Sequence, residues 1–539
     1  MIAQKAWLFL VLLGLFGLVA SESNGSSRLK VAHPGQNQPA LARRQYPMDQ
    51  QQQIADQSLK DPVGAINTVK NMPNFYQTNP TFAQASNGLL VQSSDGDEAQ
   101  VPWFDNGNFE FNSNPNVPQG PNGGWSWLPG DFPGFTMKTD LVVSNQTING
   151  TAAMPVQPYY VSTNVDPHTV RRVVICFPGK QRDSWKYATM FNNALNWVYN
   201  QKSYGIKQGD VMIIAPTILN MDDLWAGGVE GNWLAYDKSV WQMGGVSHFP
   251  PLQKSVTFYS AVDKIIKMVM NQTNFPQVNQ VVVAGHSMGG QATQRYALLK
   301  ADKKYDANIK YWVGNPGSWA WLQNGSRPVT TPGTQCNPAS EMDNWPYGVG
   351  NLSSIPKYAR KNMTQDSQYY IQRYLKRYVH YGLALLDNGA GDTHCQAQYQ
   401  GASHLERGTN FVDYLSKVNN GQWPTNHNLS YVAGVSHQDY PMIAATQSLD
   451  FIFGPDINVP RTDTYGLPKN HTHSPHRPAK GPPMSSSRLN LFRIVAWVIL
   501  AAIIVALIIG FFVFDRVFTP NTNDWDRDYW ESDFKRRLL

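Results

Sequence analysis

Residues 281–290 read "VVVAGHSMGG", a β-branched run ending on a serine set between glycines at 285 and 289. A short apolar run closed by glycine has the length and composition of a buried strand. The stretch that follows, "QATQRYALLK" (291–300), has helix-forming composition. A strand, a sharp turn and a helix with the turn spelled G-x-S-x-G form a nucleophile elbow, which forces the serine into a strained backbone conformation. Neighbours two residues away must then lack side chains, and Gly285 and Gly289 meet that demand. The Ser287 hydroxyl is expected above the carboxyl edge of a sheet, with the helix from Met288 aiming its N-terminal dipole at the same point.

From about residue 136 the surrounding chain has a matching rhythm. The apolar β-branched runs are "RRVVICF" (171–177), "DVMIIAP" (210–216), "QVVVAGHS" (280–287), "IKYWVGNP" (309–316), "RYVHYGLALLD" (377–387) and "SYVAGVSH" (430–437). Helix-like stretches separate them, among them 256–272, 291–300 and 442–454. Near-continuous apolar strands alternating with helices predict an α/β fold, with a mostly parallel sheet covered by helices on both faces.

A serine hydroxyl is a poor nucleophile until a histidine takes its proton, and a carboxylate must hold that histidine's tautomer. In an elbow fold the chain order is serine, acid, histidine. His437 closes the last strand-like run and is the candidate base, with His394 and His404 in the preceding loop as rivals. His286 adjoins the nucleophile, should point away from it and is expected to pack. Asp387 ends the run 377–387 and is favoured as the acid over Asp392, which follows in the same loop. Two backbone N–H groups are needed for an oxyanion. Met288 supplies one by position. The second falls in "CFPGKQRDSW", where Pro178 has no N–H and Lys180 is preferred to Gly179. This chemistry calls for no cofactor and no metal, and His471, His473 and His476 read as solvated spacer.

These residues together resemble the α/β-hydrolase superfamily, closest to secreted fungal-type esterase and depolymerase-like serine hydrolases with a GHSxGG elbow. Pro178-Gly179 stands where that superfamily usually carries His-Gly. The resemblance covers roughly residues 136–455 and implies the fold and a serine hydrolase reaction on an ester-type small-molecule or polymer substrate, without naming it. The aromatic insertions 217–250 (Trp225, Trp233, Trp241) and 315–365 (Trp319, Trp321, Trp345) admit two readings. They either bind an acyl or aryl group over the serine or form satellite cores that anchor long loops.

The ends of the chain set the cellular context. With 539 residues and 15% charged, the formal net charge of +6 forms no basic block, which argues against a nucleic-acid partner. Ala6–Ala20 is a short apolar run followed by small residues, so 1–21 is expected to be a signal peptide. Residues 22–135 read as a disordered or irregular lead-in, 136–455 as the catalytic domain and 456–493 as a Pro/His/Ser-rich linker. Residues 494–514 ("IVAWVILAAIIVALIIGFFVF") carry no charge across 21 positions, enough for a helix to span about 30 Å of hydrocarbon. Residues 515–539 form the expected cytoplasmic tail. All nine N-x-[ST] sequons, at Asn24, Asn145, Asn149, Asn271, Asn324, Asn351, Asn362, Asn428 and Asn470, precede that span. Their placement predicts a single-pass type I membrane protein whose folded part faces the lumen or exterior. Of three cysteines, Cys176 lies in an apolar strand and is expected to be a buried thiol, leaving Cys336 and Cys395 as a possible disulfide. Protein partners and oligomeric state are not legible.

Overall fold

In a computed structural model the described residues are 48–72, 124–148, 151–325, 327–328, 341–360, 367–458, 463 and 465. The chain divides into units Met1–Leu467 and Pro468–Leu539, and every described residue lies in the first. The expected signal peptide, membrane helix and tail, with Asn24, Asn149, Asn362, Asn470 and Cys336, lie outside the described residues. Among the described residues no helix is long and apolar enough to cross a membrane.

Eight strands form the main sheet: β1 (Phe135–Lys138), β2 (Tyr159–Ser162), β3 (Arg172–Phe177), β4 (Val211–Pro216), β5 (Gln280–His286), β6 (Ile309–Gly314), β7 (Tyr378–Ala384) and β8 (His427–Val432). Their spatial order is β1-β2-β4-β3-β5-β6-β7-β8. β1–β2 and β2–β4 pair antiparallel, and the pairs from β4 through β8 are parallel. The sheet is therefore mostly parallel, as expected, with an antiparallel start that the sequence pattern had not revealed. The near-continuous apolar runs follow from burial on both faces. Val173, Ile175, Val281, Val283 and Val313 feed one core, while Val174, Cys176, Val282, Ala284 and Trp312 feed the other.

The helices are α1 (Met48–Lys60), α2 (Pro62–Lys70), α3 (Ser184–Tyr199), α4 (Met221–Ala226), α5 (Phe258–Val269), α6 (Met288–Leu299), α7 (Ser367–Leu375), α8 (Cys395–Gln398), α9 (His404–Val418), α10 (Asp439–Ile443) and α11 (Thr446–Phe453). Within the expected 22–135 lead-in, residues 22–47 and 73–123 lie outside the described residues, and 48–72 and 124–135 are folded. α1 and α2 are helical, and Ile54, Ala55, Ala65, Ile66 and Val69 are buried in the main core. Polar spacing hid them, since four consecutive glutamines in α1 mask its apolar stripe. Residues 125–135 also belong to the folded body, with Trp125, Phe132 and Phe135 buried.

The insertions resolve mostly as anchors. Trp233, Trp241, Trp319, Trp321 and Trp345 are all buried. Trp319 stacks on Phe411 at 4.4 Å and Trp241 meets Phe258 edge-on at 5.6 Å. Trp225, on α4, is the exception at 70% exposed. Cys176 is a buried free thiol, and Cys395 is disulfide-bonded. Of the described sequons, Asn145, Asn324 and Asn428 are exposed and Asn271 is half-buried. Asn351 is half-buried, with its amide nitrogen donating to Asn344 Oδ1 at 3.0 Å.

Candidate active site

The end of β5 turns into α6 through Ser287, whose φ of 57° and ψ of −121° place a non-glycine residue in strained backbone. Close backbone approaches make that turn possible. A Cβ on Gly285 would sit 2.3 Å from Gly289 O, and one on Gly289 would sit 2.6 Å from Phe177 O. Gly290 is a third requirement, because its Cβ would meet Gly314 O at 2.5 Å. The elbow thus presses between the ends of β3 and β6, and Ser287 N–H donates to Gly314 O at 2.8 Å.

His437 and Asp387 reach this point from loops beyond β8 and β7. Each strand ends earlier than the sequence pattern suggested: β8 stops at Val432 before a left-handed turn at Gly434 (φ 71°), and β7 stops at Ala384. The Ser287 hydroxyl and His437 Nε2 are 2.8 Å apart, and His437 Nδ1 and Asp387 Oδ2 are 2.7 Å apart. With Nδ1 protonated, the imidazole donates to the carboxylate and accepts from the hydroxyl. Burial pushes the Asp387 carboxyl up, but His404 and His437 outweigh it and hold the group well below the usual carboxylate range. For His437, burial opposes the charged ring, and Asp387 outweighs it and raises the pKa above the ordinary histidine value.

The rival residues have other roles. Asp392 is engaged elsewhere: it pairs with His394 Nδ1 at 2.6 Å and accepts from Ser318 Oγ at 2.7 Å and Tyr347 OH at 3.1 Å. It ties the acid loop to the insertion after β6. His286 packs behind the site, 4.8 Å ring to ring from His437, with Nδ1 2.8 Å from Asp439 Oδ1. His404 adjoins the site itself, its ring 4.1 Å from that of His437.

Sequence reasoning missed the residues that brace these loops. Asp439, two positions past His437, gathers Lys186 Nζ at 2.9 Å, Tyr187 OH at 2.7 Å and His286. Tyr187 in turn faces the Gly179 backbone N–H, and a Cβ at 179 would lie 2.6 Å from its hydroxyl oxygen. One carboxylate therefore links the elbow, the histidine loop and the loop after β3. Asn315 does similar bridging, accepting from Ala384 N at 2.9 Å and donating to Ser436 O at 3.2 Å. For Asn315 its place directly after β6 was the available signal, whereas Asp439, at the start of α10, offered none. Their partners lie 69 to 253 positions away, beyond the reach of local pattern.

Among the described residues neither Met288 N–H nor Lys180 N–H has a hydrogen-bond acceptor. The loop holding Lys180 is anchored by Arg182, which bonds Asp223 at the start of α4. Asp387, His404 and His437 bring one donor atom each within 4.8 Å of one another.

No family model matches the chain, and no curated protein matches it. Solved structures are distantly similar. Poly(aspartic acid) hydrolase-1 from a Sphingomonas species aligns at 17% identity and a TM-score of 0.39, over 60% of this chain and 98% of its own. A poly(3-hydroxybutyrate) depolymerase from Bordetella parapertussis aligns at 17% identity and 0.38, over 59% and 87%. A siderophore hydrolase from Aspergillus nidulans aligns at 14% identity and 0.33, over 62% and 100%. These likenesses are too distant to carry a substrate across. The mostly parallel strand order, with its antiparallel start, and the serine elbow after β5 are properties of this chain itself, and they give it the α/β architecture with an α/β-hydrolase-like arrangement.

Proposed function

We propose that this chain is a membrane-tethered serine hydrolase of the lumen or cell exterior, acting on a carboxylic ester. Ser287 Oγ attacks the carbonyl carbon while His437 Nε2 takes its proton. Asp387 holds His437 Nδ1–H and favours the imidazolium that forms. Met288 and Lys180 N–H groups receive the oxyanion. His437 then protonates the leaving alcohol, and water repeats the sequence to free the acid and restore Ser287. No cofactor enters these steps.

The observation that carries the reading is the hydroxyl–imidazole–carboxylate relay, at 2.8 and 2.7 Å, over a strained serine. A non-catalytic receptor would have no need to keep both hydrogen bonds and the backbone strain. A peptidase or thioesterase would use the same groups, so the leaving group is decided by assay. The test is labelling of the full chain by a fluorophosphonate, followed by a p-nitrophenyl ester chain-length series. Ser287→Ala should abolish labelling and lower kcat by about 10⁴–10⁶-fold. Labelling that persists in Ser287→Ala, or is absent from the wild type, overturns the proposal.

A further inference from the structure

Asp387 has two carboxylate oxygens, and His437 uses one of them. The other, Oδ1, is buried and has no donor in full hydrogen-bond geometry among the described residues. The group nearest to it is His404, whose Nδ1 lies 3.1 Å from Oδ1 and 3.0 Å from Gly389 O. The second approach has hydrogen-bond geometry, so the Nδ1 proton points chiefly at the carbonyl with the carboxylate oxygen beside it. The His404 ring also lies against that of His437, with centroids 4.1 Å apart.

The chain makes room for this ring. Gly391 adopts φ +60°, and a Cβ there would sit 2.6 Å from His404 Nε2. The start of α9 holds the same loop through backbone, with His404 N–H donating to Gly389 O and Leu405 N–H to Asp387 O, each at 3.0 Å.

We propose that His404 is a positioning residue of the site: it supports Asp387 on the oxygen that His437 leaves free, and its ring backs the imidazole of His437. The inference rests on the hydrolase reading for its kinetic consequence but not for its effect on Asp387. Burial keeps His404 below the ordinary histidine pKa, with Asp387 opposing and His437 and Arg407 reinforcing, so it acts as a neutral donor. The charged or titratable groups around the pair are Asp387 beyond β7, Arg407 on α9, His286 at the end of β5 and Asp439 on α10. Lys186 and Tyr187 on α3 stand behind Asp439.

Removing the Nδ1 donor leaves Asp387 with more uncompensated charge. His437 then takes up its proton at higher pH. The test compares full-length wild type, His404→Phe and His404→Asn. Phenylalanine keeps a ring against His437 without a donor, whereas asparagine restores a donor near the Nδ1 position without the ring. Fluorophosphonate labelling of Ser287 is followed against pH, and the thermal midpoint is measured from pH 5 to 8.

In His404→Phe labelling near neutral pH should slow by about tenfold, and the acid limb should move up by about half a pH unit. His404→Asn should return the limb toward the wild-type position. The thermal gap between wild type and His404→Phe should narrow as pH falls from 8 to 5, because His437 of the variant, with its pKa raised further, takes up its proton first and gains stability from it. His404→Leu, which also lacks a donor, replaces His404→Phe if the latter does not fold, with the same expectations. An unmoved acid limb, an Asn variant no better than Phe, or a thermal gap equal at every pH would overturn the proposal. If the wild type itself does not label, the hydrolase reading fails, and the thermal measurements still decide the claim on Asp387.

Discussion

Gly285, Gly289 and Gly290 each meet backbone carbonyl rather than a mobile side chain, so an added methyl has nowhere to go. Gly290→Ala should destabilise the fold by about 1–3 kcal/mol, the usual cost of overpacking, measured by denaturant unfolding. Gly289→Ala pushes on Phe177 and Pro178, at the entry to the Lys180 loop, and should lose labelling before it loses fold. The two acids separate in the same way. Asp387→Asn should cut kcat by about 10⁴-fold by removing the tautomer lock. Asp392→Asn should mainly lower thermal stability, since Asp392 holds Ser318, Tyr347 and His394. The reverse result, measured on purified variants, would reassign the acid. His437 must be neutral to act as base and its pKa is raised, so activity should fall on acidification with a midpoint above about 6.5. The stability linkage of His437 has the other sense: its contribution is full below the unfolded pKa and is lost as pH rises through the folded one. That of Asp387, whose pKa is lowered, is full above the unfolded value and lost as pH falls.

The element the sequence hid best is α1. It lies along β8, the edge strand of the main sheet, and supplies side-chain acceptors to backbone amides of that strand and of the turn after it. Tyr431 N–H donates to Ser58 Oγ at 3.2 Å and Gly434 N–H to Gln51 Oε1 at 2.8 Å. An edge strand left with unpaired amides is a template for association, and here a helix covers it. Gln51→Ala should cost about 1 kcal/mol in unfolding free energy. Deleting residues 48–70 should expose the edge and drive self-association, read by size-exclusion chromatography. The pair Lys70–Asp413, at 2.7 Å, fixes α2 to α9 on the same side. Strands β3 to β7 were legible because burial on both faces makes them largely apolar, whereas the run read from 430 caught only the end of β8, whose Asn428 is exposed. β1 and β2 were not: each is four residues long, paired antiparallel and partly open to solvent, which leaves no periodic run to read. The helix expected over 442–454 is two helices, α10 and α11, divided at Ala444-Ala445.

At the scale of the whole chain, the two edges of the sheet have separate tasks. The carboxyl edge gathers the candidate site, and the opposite edge fastens the end of the folded unit. There Asp456 pairs with buried Arg172 at 2.5 Å and Lys310 at 2.7 Å, while Arg172 also donates to Gly454 O at 2.9 Å. Asp456→Ala should cost about 2 kcal/mol, below the range for a fully buried pair because its carboxylate is 42% exposed. Labelling of Ser287 should survive that change, since the clamp and the site lie at opposite ends of the strands. The unit boundary after Leu467 gives a further expectation. A chain ending at 467 should keep labelling and stay in the aqueous phase after carbonate extraction, whereas the full chain should sediment with membranes.

By itself the sequence determined the local chemistry: which runs are buried strands, and that a serine between glycines after one of them must turn sharply. Hydrophobic period and glycine placement are properties of neighbours, so they can be read along the chain. Which acid meets which histidine was decided only by the tertiary structure, where residues 50 and 150 positions apart come within 2.7 and 2.8 Å over one sheet edge. The same holds for His404, Asp439 and Gln51. Each is an ordinary polar residue until the fold brings its partner, because a hydrogen bond across such distances is set by packing and leaves no local pattern.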